Sequence, residues 1–166
     1  MRVITAAALT LLLFALAACS RPTWKEYDYP AWGFAVSFKG QPSVTDSPAS
    51  AKGPRSFQVE LVQNGVDLVV EAIDASNSDK SDQQLLANIP DEMVQSSEGT
   101  VTSSANVAIG NVIGRDITID RGRDPTERAR VFVVNRRVYQ VITQSPQGSD
   151  QSDVIPFLNS FHLLGK

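Results

Sequence analysis

Residues 56–74, SFQVELVQNGVDLVVEAID, leave this chain little choice of fold. Phe57, Val59 and Leu61 alternate with polar neighbours, Asn64-Gly65 follows, and Val66, Leu68 and Val70 resume the alternation. A period of two is that of a strand with one buried face. Asn-Gly tolerates the positive φ of a type I′ turn, whose twist matches that of the strands it joins. The stretch predicts an antiparallel hairpin. A lone hairpin is barely stable in water, so its apolar face demands further strands or a helix.

Other segments supply them. Before the hairpin, WGFAVSFKGQP places Phe34, Val36 and Phe38 in strand alternation, ended by Gly40 and Pro42. Residues 43–54 are rich in Ser, Pro and Ala and predict a mobile loop. After the hairpin, Ser81 with Gln84 fits a capping box, and Leu85, Leu86, Ile89 and Met93 recur at helical spacing. Pro90 would clash with the carbonyl of Leu86, which predicts a kink or a restart. From Thr100 strand patterns return in TVTSSANVAIG, NVIGRDITIDRG and RARVFVVNRRVYQVITQ, with Gly110-Asn111 and Asn135-Arg136 as hairpin tips. Val154, Phe157, Leu158 and Phe161 then mark an amphipathic helix ending near Ser160, despite Pro156. Strand, hairpin, helix, three strands and helix, joined mostly by short turns, predict an α+β fold: an antiparallel sheet with helices packed on it.

The first apolar run has a different role. Arg2 precedes VITAAALTLLLFALAA, residues 3–18, which is short of the ~20 residues that span a bilayer. It closes on Leu16-Ala17-Ala18-Cys19, and Cys19 is the only cysteine. This combination resembles the lipobox of bacterial lipoproteins. The resemblance implies a signal peptide over 1–18, cut before Cys19, whose sulfur carries a diacylglyceryl group and whose new amine is acylated, for instance with palmitate. The competing reading is a plain signal peptide or membrane anchor with an incidental cysteine. A single free thiol on an exported domain is open to oxidation and mispairing, and acylation removes that exposure. Ser20 in place of Asp fits, under the Gram-negative sorting rule that the resemblance implies, transfer to the outer rather than the inner membrane, with the domain facing the periplasm.

Removing residues 1–18 leaves 148, one ordinary domain. The chain carries a net charge of −3, and −4 once Arg2 has left, which disfavours non-specific nucleic-acid binding. Residues 19–30 predict the lipidated Cys and a short tether, and 31–166 a single domain.

Within the body, GFAVSFKGQP, the pair Gly114-Arg115, the hairpin RVFVVNRRVYQVIT and the closing FLNSFHL resemble bacterial members of the PsbP-like superfamily. That group shares an α/β/α sandwich with the photosystem subunit PsbP and the Ran-binding Mog-type proteins. FKGQP departs from relatives that have Pro directly after the Phe. The resemblance implies the sandwich and a non-enzymatic protein, and it carries no active site onto any residue here.

The residues themselves point the same way. His162 is the only histidine and lies beside Phe161 and Leu163 at a helix end. Neither G-x-S-x-G nor S-x-x-K occurs. One His and an acylated Cys cannot supply the usual zinc ligands, so no metal or other cofactor is expected. DASNSDKSD, residues 74–82, does not match the calcium-loop spacing and reads as a turn leading to a helix cap. Asp116, Asp120, Asp124 and Glu127, interleaved with arginines, read as solvated ion pairs rather than an acid/base pair. Six arginines lie within 121–137; Arg121 and Arg123 should fall at the opposite end of a strand from Arg136 and Arg137. Six of the eleven aromatics after residue 18 lie between 24 and 38, with Phe34 and Phe38 expected in the core. Trp24 and Trp32, placed near the tether, and Arg136 and Arg137, at a hairpin tip, are the candidate partner contacts. The expectation is a lipid-anchored envelope protein that binds or scaffolds a protein partner without chemistry. The alternatives are a small-ligand carrier or sensor on the same anchor and, third, a carboxylate hydrolase.

Overall fold

The computed structural model describes residues 22–51, 53–122 and 125–165. The signal segment, Cys19, Arg123 and Asp124 lie outside the described residues. In chain order the elements are β1 (Lys25–Tyr29), β2 (Phe34–Phe38), β3 (Ser43–Ser47), β4 (Ser56–Gln63), β5 (Val66–Asp74), α1 (Asp82–Ser97), β6 (Thr100–Ile109), β7 (Val112–Asp120), β8 (Thr126–Val134), β9 (Arg137–Ser145), α2 (Val154–Ser160) and β10 (His162–Leu163). No helix among them is long and apolar enough to cross a membrane.

Seven strands form one sheet in the order β3-β4-β5-β9-β8-β7-β6, and three form a second in the order β1-β2-β10. Every pairing is antiparallel. The large sheet is the middle layer, and its strand alternation feeds two cores. Val66, Leu68, Val70 and Ala72 face the small sheet and α2, where Phe34, Phe38, Phe132 and Phe157 are fully buried. On the opposite face Ile117, Ile119, Ala129 and Val131 pack under Ile89 and Met93 of α1. This is the α+β sandwich that the alternation predicts.

The hairpin tips fall where the turn chemistry puts them. Asn64 has φ 53° and Asn135-Arg136 have φ 52° and 63°, the left-handed values of type I′ turns. Arg136 lacks the ready access to that region of Gly or Asn, and its side chain anchors it: the guanidinium donates to the carbonyls of Lys80 and Ser78, and its N–H faces Asp82 at 3.3 Å.

Four features differ from the sequence-based expectation. Residues 25–29, assigned to the tether, form β1 along β2. Residues 43–47, expected to be a mobile loop, form the edge strand β3. Its side chains are mostly exposed, so it is held by backbone pairing and leaves no apolar alternation to read. The segment from Thr100 makes four strands, and β10 adds a fifth beyond α2. Helix α1 runs through Pro90 without a restart, because Ile89 and Met93 on either side of it are buried against the sheet. In α2, Pro156 lies in the first turn, where its missing N–H has no intrahelical acceptor to lose.

Candidate functional site

Helix α1 lies over β8, β7 and β6 and covers the same face of β5 and β9 only in part: Val138 is buried, while Ile73 and Ile142 are half-buried at its edge. Two adjoining hollows, of about 420 and 540 Å³, follow that step and share Ile89, Glu92 and Gln140. The floor is written by strand parity. Glu71 and Ile73 of β5 stand on the side opposite to the core residues Val70 and Ala72, and Gln140 and Ile142 of β9 do the same. Register sets Glu71 opposite Gln140 and, two strands along, Glu127 opposite Gln144.

The electrostatics of this groove are acidic. Burial pushes the Glu71 carboxyl above the ordinary glutamate range, and among the described residues nothing donates to it. Glu127 is buried and its Oε2 accepts from Gln144 Nε2 at 3.1 Å. Glu92 reaches Lys80 at 3.5 Å on the rim. Arg121 closes the far end by donating Nε–H to the carbonyl of Ser97 at 3.0 Å. The Ser97 hydroxyl is buried beside it without a protein partner. The second hollow, walled by Ile73, Ala75, Leu85, Ile89 and Val138 with a few polar groups, has the lining that suits binding, whereas the first is mostly polar. Glu71 and Glu127 lie on strands separated by β9 and four residues apart along it, too far for a shared proton.

The four candidate contacts do not sit together. Trp24 and Trp32 fall at opposite ends of the β1–β2 hairpin. Trp24, just before β1, is half-buried under Lys39, whose Nζ lies 5.2 Å from the ring and pairs with Asp153 at 2.6 Å. Trp32 is only 4% exposed, which corrects its placement near the tether and removes its ring as a surface contact. It stacks on Phe57 with Arg55 and Arg137 at 5.0 and 4.9 Å, and its carbonyl accepts from Arg137 and Tyr139. Arg136 and Arg137 thus gather at the Trp32 end, as clasps of loops 75–81 and 30–33. Arg128 and Arg130 both bind Asp116, the expected ion pairs, but the Asp116 side chain is largely shielded rather than solvated. Asp120 accepts from the Gly122 N–H at 2.9 Å, with no arginine among the described residues paired to it. Glu127 is a correction: it is buried against Gln144, not a solvated ion pair. His162 lies 3.9 Å from Glu26.

Sequence reasoning passed over Glu71 and Gln140. The available signal was Glu71 in the middle of the run VDLVVEAID, flanked by Val70 and Ala72 and on the parity opposite to the core.

Seven antiparallel strands capped by a helix, with a three-stranded sheet and a second helix beneath, define the PsbP-like α+β fold. The solution structure of cyanobacterial PsbP (CyanoP) from Synechocystis sp. PCC 6803 matches with a TM-score of 0.61 at 12% identity, over 91% of this chain and 98% of that chain. A likeness at that identity is one of fold. No family model matches the chain, and no curated protein does.

Proposed function

We propose that this chain is a lipid-anchored envelope protein, held by Cys19 at the outer membrane, whose periplasmic domain binds or scaffolds a protein partner and performs no chemistry of its own. The observation that carries the reading is the partly uncovered face of the seven-stranded sheet beside α1, a groove open to solvent along its length. Three of the side chains that could do chemistry support it by being committed elsewhere: Asp116 to two arginines, Glu127 to Gln144, Arg137 to Trp32. Glu71 stands alone, with no second acid or base coupled to it among the described residues. Residues 19–24 reach at most about 20 Å, so the β1 end of the domain stays close to the bilayer. Two or more acyl chains make such an attachment long-lived, where one gives only reversible binding.

The small-ligand alternative draws on one observation. Both hollows exceed the roughly 300 Å³ at which small-molecule sites begin. Native mass spectrometry of the protein purified from its own membranes separates the readings. A bound small molecule released by Gln140→Trp favours a carrier. A ligand-free chain that crosslinks to one envelope protein favours the scaffold.

A further inference from the structure

Of the edges that the two sheets present, three are guarded. Strand β1 reads KEYDY, β3 is five residues long and carries Asp46, and β10 has two residues. The fourth, β6, reads TVTSSANVAI: ten residues without a charge or a proline. Among the described residues it pairs only with β7, so alternate N–H and C=O groups along its outer side have no strand to bond. Natural edges are usually blunted by lysine, proline, bulges or brevity. Here the single irregularity, between Val101 and Ser103, leaves regular ladder from Ser103 to Ile109.

A second feature adjoins this edge. Register sets Asn106 opposite Arg115 and Ala108 opposite Ile113, so these four side chains share the α1 face. A hollow of about 430 Å³ opens there between α1 and the β6–β7 hairpin, walled by Leu86, Ala87, Val133 and Ile113. Ile113 is 63% exposed. The charged groups on the rim are engaged: Arg115 donates to Asn106 Oδ1 at 3.1 Å, and Asp82 faces the Arg136 N–H.

We propose that β6 is a docking edge, which takes an extended, proline-free segment of a protein partner as an eighth strand and seats one large apolar side chain of that segment against Ile113 and Leu86. Main-chain bonds to β6 give affinity, and the hollow selects the residue. A second copy of this chain fits less well. Paired antiparallel on the same face it presents Ser104, Asn106 and Ala108, side chains too small to fill the hollow. The proposal rests on the reading of the domain as a protein-binding module and places the partner's main contact at this edge rather than in the groove on the other side of α1.

The test uses the full chain in its native host, with a photo-crosslinking residue in turn as Ala105→p-benzoylphenylalanine and Ala108→p-benzoylphenylalanine. Val44→p-benzoylphenylalanine on β3 and Gln140→p-benzoylphenylalanine in the groove are the comparisons. The expected result is one protein captured from positions 105 and 108, with the crosslink mapped to a single extended segment. A synthetic peptide of that segment then binds the purified chain, at least tenfold more weakly to Ile113→Lys and Ala108→Lys. Should the lysine variants fail to fold, Ile113→Ala, a smaller change at an exposed site, must still weaken the peptide several-fold. Crosslinks from Val44 or Gln140 alone would leave partner binding standing and remove β6 as its surface. Crosslinks between two copies at position 105 would replace the partner by a homodimer. Silence at positions 105 and 108 would overturn the edge, and failure of a general amine-reactive crosslinker to capture any protein on the same cells would overturn the protein-binding reading as well.

Discussion

Gly114 gives the Gly114-Arg115 pair a physical cause. A Cβ at that position would lie 2.2 Å from the Val131 carbonyl oxygen and 2.4 Å from the Phe132 ring, inside the sheet where neither can retreat. Gly114→Ala is expected to lower stability by about 1–3 kcal/mol, read as a fall in the urea midpoint with an unchanged slope. Glu71 sets a second residue-scale expectation. Its folded carboxyl titrates above the ordinary value because its half-buried position strips water from the charged form. Folding therefore favours its protonated form, and the associated stability is lost as pH rises through the folded pKa. Glu71→Gln should melt higher than wild type at pH 7, with the difference closing below about pH 4, where both side chains are neutral. A variant that is less stable at pH 7 would mean that Glu71 has a partner. Asp116 has the opposite sign. Burial raises its carboxyl, but hydrogen bonds and charge from Arg128 and Arg130 outweigh burial and hold it below the usual range. Its contribution is present at neutral pH and lost as pH falls through that lowered value.

At the scale of elements, α1 and the β8–β9 tip are joined through one arginine. Arg136 bonds the loop that leads into α1, and the Ser81–Gln84 capping box starts the helix there. Ser81→Ala should cost about 1 kcal/mol, the usual loss of a cap. Arg136→Ala should cost more than Arg136→Gly in thermal melts, because glycine relieves the φ of 63° while both lose the same clasp. The Asn64-Gly65 hairpin and the capping box were legible because their residues carry the local geometry themselves. Strands β1 and β3 were not, because exposed strands are defined by backbone pairing to a neighbour that local pattern does not reveal. The groove was illegible for a related reason: Glu71 and Gln140 stand about seventy residues apart and meet only through register.

For the whole molecule, the anchor is the first thing to measure. Palmitate labelling of wild type against Cys19→Ala, followed by membrane fractionation, should show label and membrane association lost together. A wild-type chain with a free amine and a free thiol at that position would remove the anchor from the proposal. From the residues alone came the α+β class, both helices, three hairpin tips, and the assignment of Phe34 and Phe38 to the core, because turn geometry, capping and the periods of two and 3.6 are written locally. The tertiary structure alone decided that Trp32 is interior while Ile113 is exposed, that Arg136 and Arg137 fasten loops, and that β6 ends the sheet without a partner strand among the described residues. Strand order is settled by which apolar faces can cover one another, and that competition involves the whole chain at once.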